Sequence, residues 1–91
     1  MSAVSREAVV RRLADLVREA TDGQVAADEA AGAASLTLLG VGSLARLRLL
    51  DAVEREFGTV VDVEDDPTLD DDLGRLADHL LAAGAAGEAA R

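Results

Sequence analysis

Between Gly42 and Gly58 the chain places Leu44, Leu47, Leu50, Val53 and Phe57 three or four positions apart, with Arg46, Arg48, Asp51, Glu54, Arg55 and Glu56 between them. That spacing sends the two sets to opposite sides of a 3.6-residue helix, whereas a strand would need alternation with period two. An amphipathic helix of this kind must bury its apolar stripe against something. Two further segments carry matching stripes. From about Ser5 to Ala20, Val9, Val10, Leu13, Leu16, Val17 and Ala20 mark one face and Arg11, Arg12, Asp15, Arg18 and Glu19 the other. A last helix is expected to begin at Asp70 to Asp72, where carboxylates suit the positive end of the helix dipole. There Leu73, Leu76, Ala77, Leu80 and Leu81 follow the i, i+3, i+4, i+7, i+8 rule. The expected fold is therefore all-α: a small up-and-down four-helix bundle of three main helices plus one short helix, with the stripes meeting in a leucine-rich interior.

The connections are less regular. Thr21-Asp22-Gly23 supplies stop and turn signals, and Gln24 to Ser35 is rich in alanine and glycine without clean periodicity. The reading here is a long ordered loop with a helical turn at Asp28 to Ala31. Gly58 closes the central helix, and Thr59 to Val63 is β-branched but has no second strand to pair with, so an extended connector is expected, with Val61 and Val63 capping the core. The run from Asp62 to Asp72 is acidic, with Pro67-Thr68 inside it, and any short third helix is expected near that pair. The acidic spacing does not fit a calcium-binding loop, because no glycine makes the central turn. A solvated face is the simplest reading, with a few carboxylates steering basic partners. Residues 1–83 are expected to form one domain and 84–91 a flexible tail.

Composition narrows the functional classes. A formal charge of −9 disfavours nucleic acid, whose phosphates call for a basic surface. One phenylalanine and no tryptophan or tyrosine leave no platform for stacking bases. There is no cysteine, so any thiol chemistry must be imported. At 91 residues the chain is too small for chemistry in a deep pocket. No apolar run is long enough for a membrane span, and Arg6 and Glu7 near the start do not fit a signal peptide, so a cytoplasmic address is expected by default; a monomer without a metal site is expected as well.

The remaining candidate is Ser43. At the N-cap of the central helix its hydroxyl would stand beside unpaired backbone N–H groups, and Gly40 and Gly42 remove side chains that would screen it. Serine is also among the commonest N-cap residues, so the residue alone is weak evidence of function. The run Leu39-Gly40-Val41-Gly42-Ser43-Leu44, the helix end Glu54-Arg55-Glu56-Phe57-Gly58 and the acidic segment after it together resemble the acyl and peptidyl carrier protein family. The resemblance covers most of the chain. It implies that Ser43 receives 4'-phosphopantetheine from coenzyme A through a phosphopantetheinyl transferase. It also implies that the arm's thiol holds acyl or aminoacyl groups as thioesters, presented to loading, tailoring and condensing enzymes, and that the chain itself has no catalytic residues. Carriers have a long first loop whose apolar side chains tuck onto the helices, a role that falls to Leu36 and Leu39. Gly42, Leu44, Ala45, Leu47 and Arg48 would form the partner-binding face.

Two features depart from the family pattern. Gly42 stands where aspartate, histidine or asparagine is usual, and Arg46 and Arg48 interrupt a helix that is strongly acidic in fatty-acid carriers. Arg48 and Asp66-Pro67-Thr68 are closer to peptidyl carriers, so the expectation is a free-standing carrier in nonribosomal peptide or polyketide biosynthesis. The alternative is an unmodified, carrier-like helical adaptor, which Gly42 favours. A hydrolase built on Ser43 is disfavoured because His79, the single histidine, has no nucleophile near it in sequence.

Overall fold

The computed structural model describes residues 5–84, and over this range the chain is all-helical with four helices and no strand. Helix α1 spans Arg6–Ala20, α2 Ala27–Gly32, α3 Ser43–Phe57 and α4 Leu73–Ala82. Helix α1 packs against each of the other three, which makes it the hub of the bundle. Its inward face is Val9, Leu13, Ala14, Leu16, Val17 and Ala20. Ala14 joins the stripe read from the sequence, while Val10 sits at its edge, half-buried. Ser5 lies just outside α1 and caps it, accepting a bond from the Ala8 N–H at 3.0 Å.

After α1 the chain turns through Asp22 and Gly23, both left-handed, at φ of 54° and 81°. Thr21 fastens this turn: its hydroxyl donates to the Val17 carbonyl and accepts from the Val25 N–H. The stretch expected to be a loop with one helical turn instead holds α2, whose start is fixed by the Glu29 carboxylate accepting from the Ala26 N–H at 3.0 Å. Its propensity comes from alanine, and Ala30 alone is buried. This is the bundle's short helix. It does not lie near Pro67-Thr68, where the chain forms successive turns.

Those turns explain the acidic run. Asp62 accepts from the N–H groups of Glu64 and Asp65, and Asp66 accepts from both the N–H and the hydroxyl of Thr68. Each carboxylate thus serves as a local acceptor for backbone N–H groups two or three residues downstream, the usual role of aspartate in turns. Val61 and Leu69 drop from this segment into the core, and Val63 packs partly against it. Asp72 ends the run as the cap of α4, accepting from the N–H groups of Gly74 and Arg75. Leu73, Leu76, Ala77 and Leu80 then face inward, with Leu81 half-buried at the margin.

The register of α3 differs from the sequence expectation. Leu49, Val53 and Phe57 are buried, with Leu50 half-buried, while Leu44 and Leu47 are 62% and 66% exposed. The inward stripe of the first two turns is supplied by Ala45 and Leu49, which join Leu36 and Val41 from the preceding loop in the same core cluster. Gly58 stops the helix in a left-handed conformation at φ 69°, its N–H bonded to the Glu54 carbonyl.

Candidate functional site

The loop before α3 is built from short-range bonds. A 3-10 turn at Thr37–Leu39 ends at Gly40, left-handed at φ 77°, and the Val41 N–H returns to the Leu36 carbonyl at 3.1 Å. Leu36 is buried and Leu39 half-buried, so the loop is anchored from beneath. Gly42 is the N-cap of α3 and contributes no side-chain bond. Ser43 is therefore the first residue of the helix rather than its cap, because the extended conformation of Gly42 already ends the loop one position earlier. It is exposed, and its hydroxyl is not spent on capping. A Cβ built at Gly40 or Gly42 meets nothing within 4 Å, so the approach to Ser43 is open on that side.

An open cleft of about 360 Å³ adjoins this point, between the Thr21–Val25 turn and the first turns of α3. Gly42, Leu44, Ala45 and Arg48 line its α3 wall, and Asp22 and Val25 face them. Arg48 reaches across its rim to Asp22 at 3.5 Å, and both side chains are well exposed. Of the five residues proposed for partner contact, Gly42, Leu44, Leu47 and Arg48 are exposed, whereas Ala45 is half-buried against the core. Leu38, on the loop that leads into α3, is also exposed, at 77%.

Arg46 is the residue whose placement the periodicity misjudged. It does not share the solvent face of α3; its side chain is only 19% exposed and bends back toward the start of the helix. Its Nε donates to the Val41 carbonyl at 3.1 Å, and its Nη2 donates to the Thr37 hydroxyl and, at 2.9 Å, to Asp71 Oδ1. Asp70 adds a weaker ionic contact at 3.6 Å. Asp71 Oδ1 also accepts from the N–H of Thr37 at 2.8 Å and from its hydroxyl at 2.7 Å, while the Asp71 carbonyl accepts from the Leu36 N–H at 2.7 Å. Burial raises the proton affinity of Asp71, but the bonds from Thr37 and the charge of Arg46 outweigh it and hold the carboxyl below its ordinary range.

No protein-family model, curated protein or solved structure matches this chain significantly.

Both arginines that set α3 apart from an acidic helix are thus paired with carboxylates from other segments. Thr37 and Asp71 were not legible as site residues, since 34 positions separate them and no local pattern joins them. For Arg46 a signal existed in the tendency of long helical side chains to lean toward the helix N-terminus. His79 lies on α4 in a separate depression with Asp66, Leu69, Arg75 and Asp78, which includes no residue of the 40–45 segment. Among the described residues no group of three or more histidine, aspartate, glutamate or cysteine side chains is arranged to hold a metal. No described helix is long and apolar enough to cross a membrane. Residues 85–91 of the expected tail lie outside the described residues.

Proposed function

We propose that this chain is a free-standing carrier protein that bears a 4'-phosphopantetheine arm on Ser43. The observation that carries the reading is Ser43 itself: an exposed hydroxyl on the first residue of a 15-residue helix, reached past two glycines with open space around them. The residues present fit the group. Gly42 brings no side chain to the helix N-terminus, so backbone N–H groups and the dipole there favour the phosphodiester's negative charge. The anchored loop beneath Ser43 gives a transferase a preformed surface.

In the transfer, Ser43 Oγ forms a bond to the phosphorus that carries pantetheine in coenzyme A. The bond to the adenosine 3',5'-bisphosphate portion breaks, and the hydroxyl proton passes to a base of the magnesium-dependent transferase. Once attached, the arm supplies the thiol that this cysteine-free chain lacks, and with it thioester chemistry for acyl or aminoacyl cargo. The chain's own part is to hold the attachment point and present Leu44, Leu47 and Arg48 to loading, tailoring and condensing enzymes. The absence of an acidic first turn on α3 and the Asp66-Pro67-Thr68 turn favour partners from nonribosomal peptide or polyketide assembly, in the cytoplasm.

Incubation with coenzyme A, magnesium and a broad-specificity transferase, followed by intact mass measurement, tests this directly. The wild type gains the mass of one phosphopantetheine and Ser43→Ala gains none. A wild type that gains nothing, or a gain that survives Ser43→Ala, overturns the reading. The competing reading is an unmodified adaptor using the same face, favoured by Gly42, whose lack of a side chain removes the usual acidic or polar contact for a transferase.

A further inference from the structure

We propose that Arg46 is a positioning residue for the modification of Ser43, acting with Asp71 as a clamp that fixes the loop from Leu36 to Gly42 against the start of α3. The inference rests on the carrier reading and extends it to residues that do not touch the attachment oxygen.

The geometry is that of a two-sided brace. From α3, the Arg46 guanidinium takes hold of the loop at two points, the Val41 carbonyl and the Thr37 hydroxyl. From the segment before α4, Asp71 takes hold of the same loop at the N–H and hydroxyl of Thr37 and, through its backbone carbonyl, at the N–H of Leu36. The two arms meet in the contact between Arg46 Nη2 and Asp71 Oδ1. Val41 is separated from Ser43 only by Gly42, a residue with wide backbone freedom. Without the brace, the position of Ser43 relative to the loop would depend on a glycine joint, the 3-10 turn, the bond from the Val41 N–H to the Leu36 carbonyl and the burial of those two side chains. With it, the loop, the start of α3 and the segment before α4, 25 positions further on, meet at one guanidinium.

The chemistry calls for arginine. One guanidinium offers donors in a rigid planar fork, so it can serve a carbonyl, a hydroxyl and a carboxylate at once; an ammonium has no such fixed geometry. Pairing with Asp71 also keeps the Arg46 charge engaged inside the protein. Long-range charge attraction from this residue is thus replaced by local order at the loop.

The test uses the full-length chain and the variants Arg46→Met, Arg46→Lys and Asp71→Asn, with two readouts. Amide hydrogen exchange of residues 37–43 is followed in the unmodified proteins. Steady-state transfer from coenzyme A is followed by mass, separating KM for the carrier from kcat. Arg46→Met is expected to raise exchange at Thr37, Gly40 and Val41, whose N–H groups are bonded in the loop, by roughly tenfold, the scale of one charge-assisted bond, with little change in exchange within α1. KM for the carrier rises by the factor by which the population of the ordered loop falls while kcat is nearly unchanged, since the transferase must select the ordered loop from a broader ensemble. Arg46→Lys recovers only part of either effect, and Asp71→Asn shows a smaller change in the same direction. Unchanged loop exchange in Arg46→Met, or an unchanged KM despite faster exchange, overturns the positioning role and leaves the carrier reading intact. If Arg46→Met fails to fold, Asp71→Asn decides by the same two criteria. A wild type that gains no mass overturns the carrier reading and this role together.

Discussion

Arg12 of α1 and Glu56 of α3 meet in a two-bond fork, with Nε donating to one carboxylate oxygen and Nη2 to the other. The pair ties the C-terminal half of α3 to the hub helix at a point where the side chains are partly, not fully, withdrawn from water. The bonds from Arg12 hold the Glu56 carboxyl below its ordinary range, overcoming the opposing effect of burial. A double-mutant cycle on Arg12→Ala and Glu56→Ala is expected to give a coupling of about 1 kcal/mol after allowance for solvent screening. Because the folded state lowers the proton affinity of Glu56, its contribution is complete above the ordinary glutamate range. It is lost as pH falls through the lower folded value. Urea titrations of wild type and Glu56→Gln should therefore differ at neutral pH and converge in acid. A gap that persists in acid would place the effect elsewhere.

The register of α3 gives a sharper test, because two leucines two positions apart have opposite surroundings. Leu49 is 1% exposed in the core and Leu47 66% exposed. Leu49→Ala should cost about 2–5 kcal/mol in chemical denaturation, as for other fully buried leucines. Leu47→Ala should stay within about 0.5 kcal/mol of wild type. Equal losses at both sites would mean that the helix is rotated from the position described.

The contrast also shows what periodicity can and cannot reveal. The stripes of α1 and α4 were legible because each helix presents its apolar residues to one side only, and Leu13, Leu76 and Leu80 are wholly buried as their spacing implied. In α3 two overlapping stripes compete, one through Leu44 and Leu47 and one through Ala45, Leu49 and Val53. The second goes inward, joining Leu36 and Val41 in the core, an outcome decided by tertiary packing rather than by the helix's own pattern. Ser43 and its glycines were visible locally. The clamp was not, since Thr37 meets Arg46 and Asp71 only after the chain has folded. The acidic run hid its own order: Asp62, Asp66 and Asp72 each accept backbone N–H bonds a few residues downstream, a pattern that resembles simple solvated charge until the bonds are placed.

Asp72 tests that last point. Its Oδ1 accepts from the N–H of Gly74 at 2.9 Å and of Arg75 at 3.2 Å, satisfying two donors at the start of α4. Asp72→Ala should cost about 1 kcal/mol, and Asp72→Ser most of a kcal/mol less, as a second good cap. Glu at this position, with its longer side chain, should not rescue. A loss from Asp72→Ala no larger than that from a substitution at exposed Asp65 would mean that the carboxylate is only solvated charge.

The exposed leucines of α3 offer the remaining prediction, which joins stability to use. Leu44 and Leu47 lie open to solvent in the first two turns of α3 after Ser43, and Leu38 is open to solvent on the preceding loop. Exposure at this scale gains the bundle little, since these side chains are withdrawn from the core. Under the carrier reading their value lies in burial against partner enzymes. Leu47→Glu should therefore melt within a few degrees of wild type yet raise KM for the carrier in phosphopantetheine transfer by roughly tenfold, with kcat largely preserved. The charge change is a second influence, and Leu47→Gln separates it: apolar contact predicts that both variants are impaired, charge repulsion that only Leu47→Glu is. If neither variant alters transfer, this surface does not serve the transferase, and the partner contact must be sought on the Arg48 rim of the cleft.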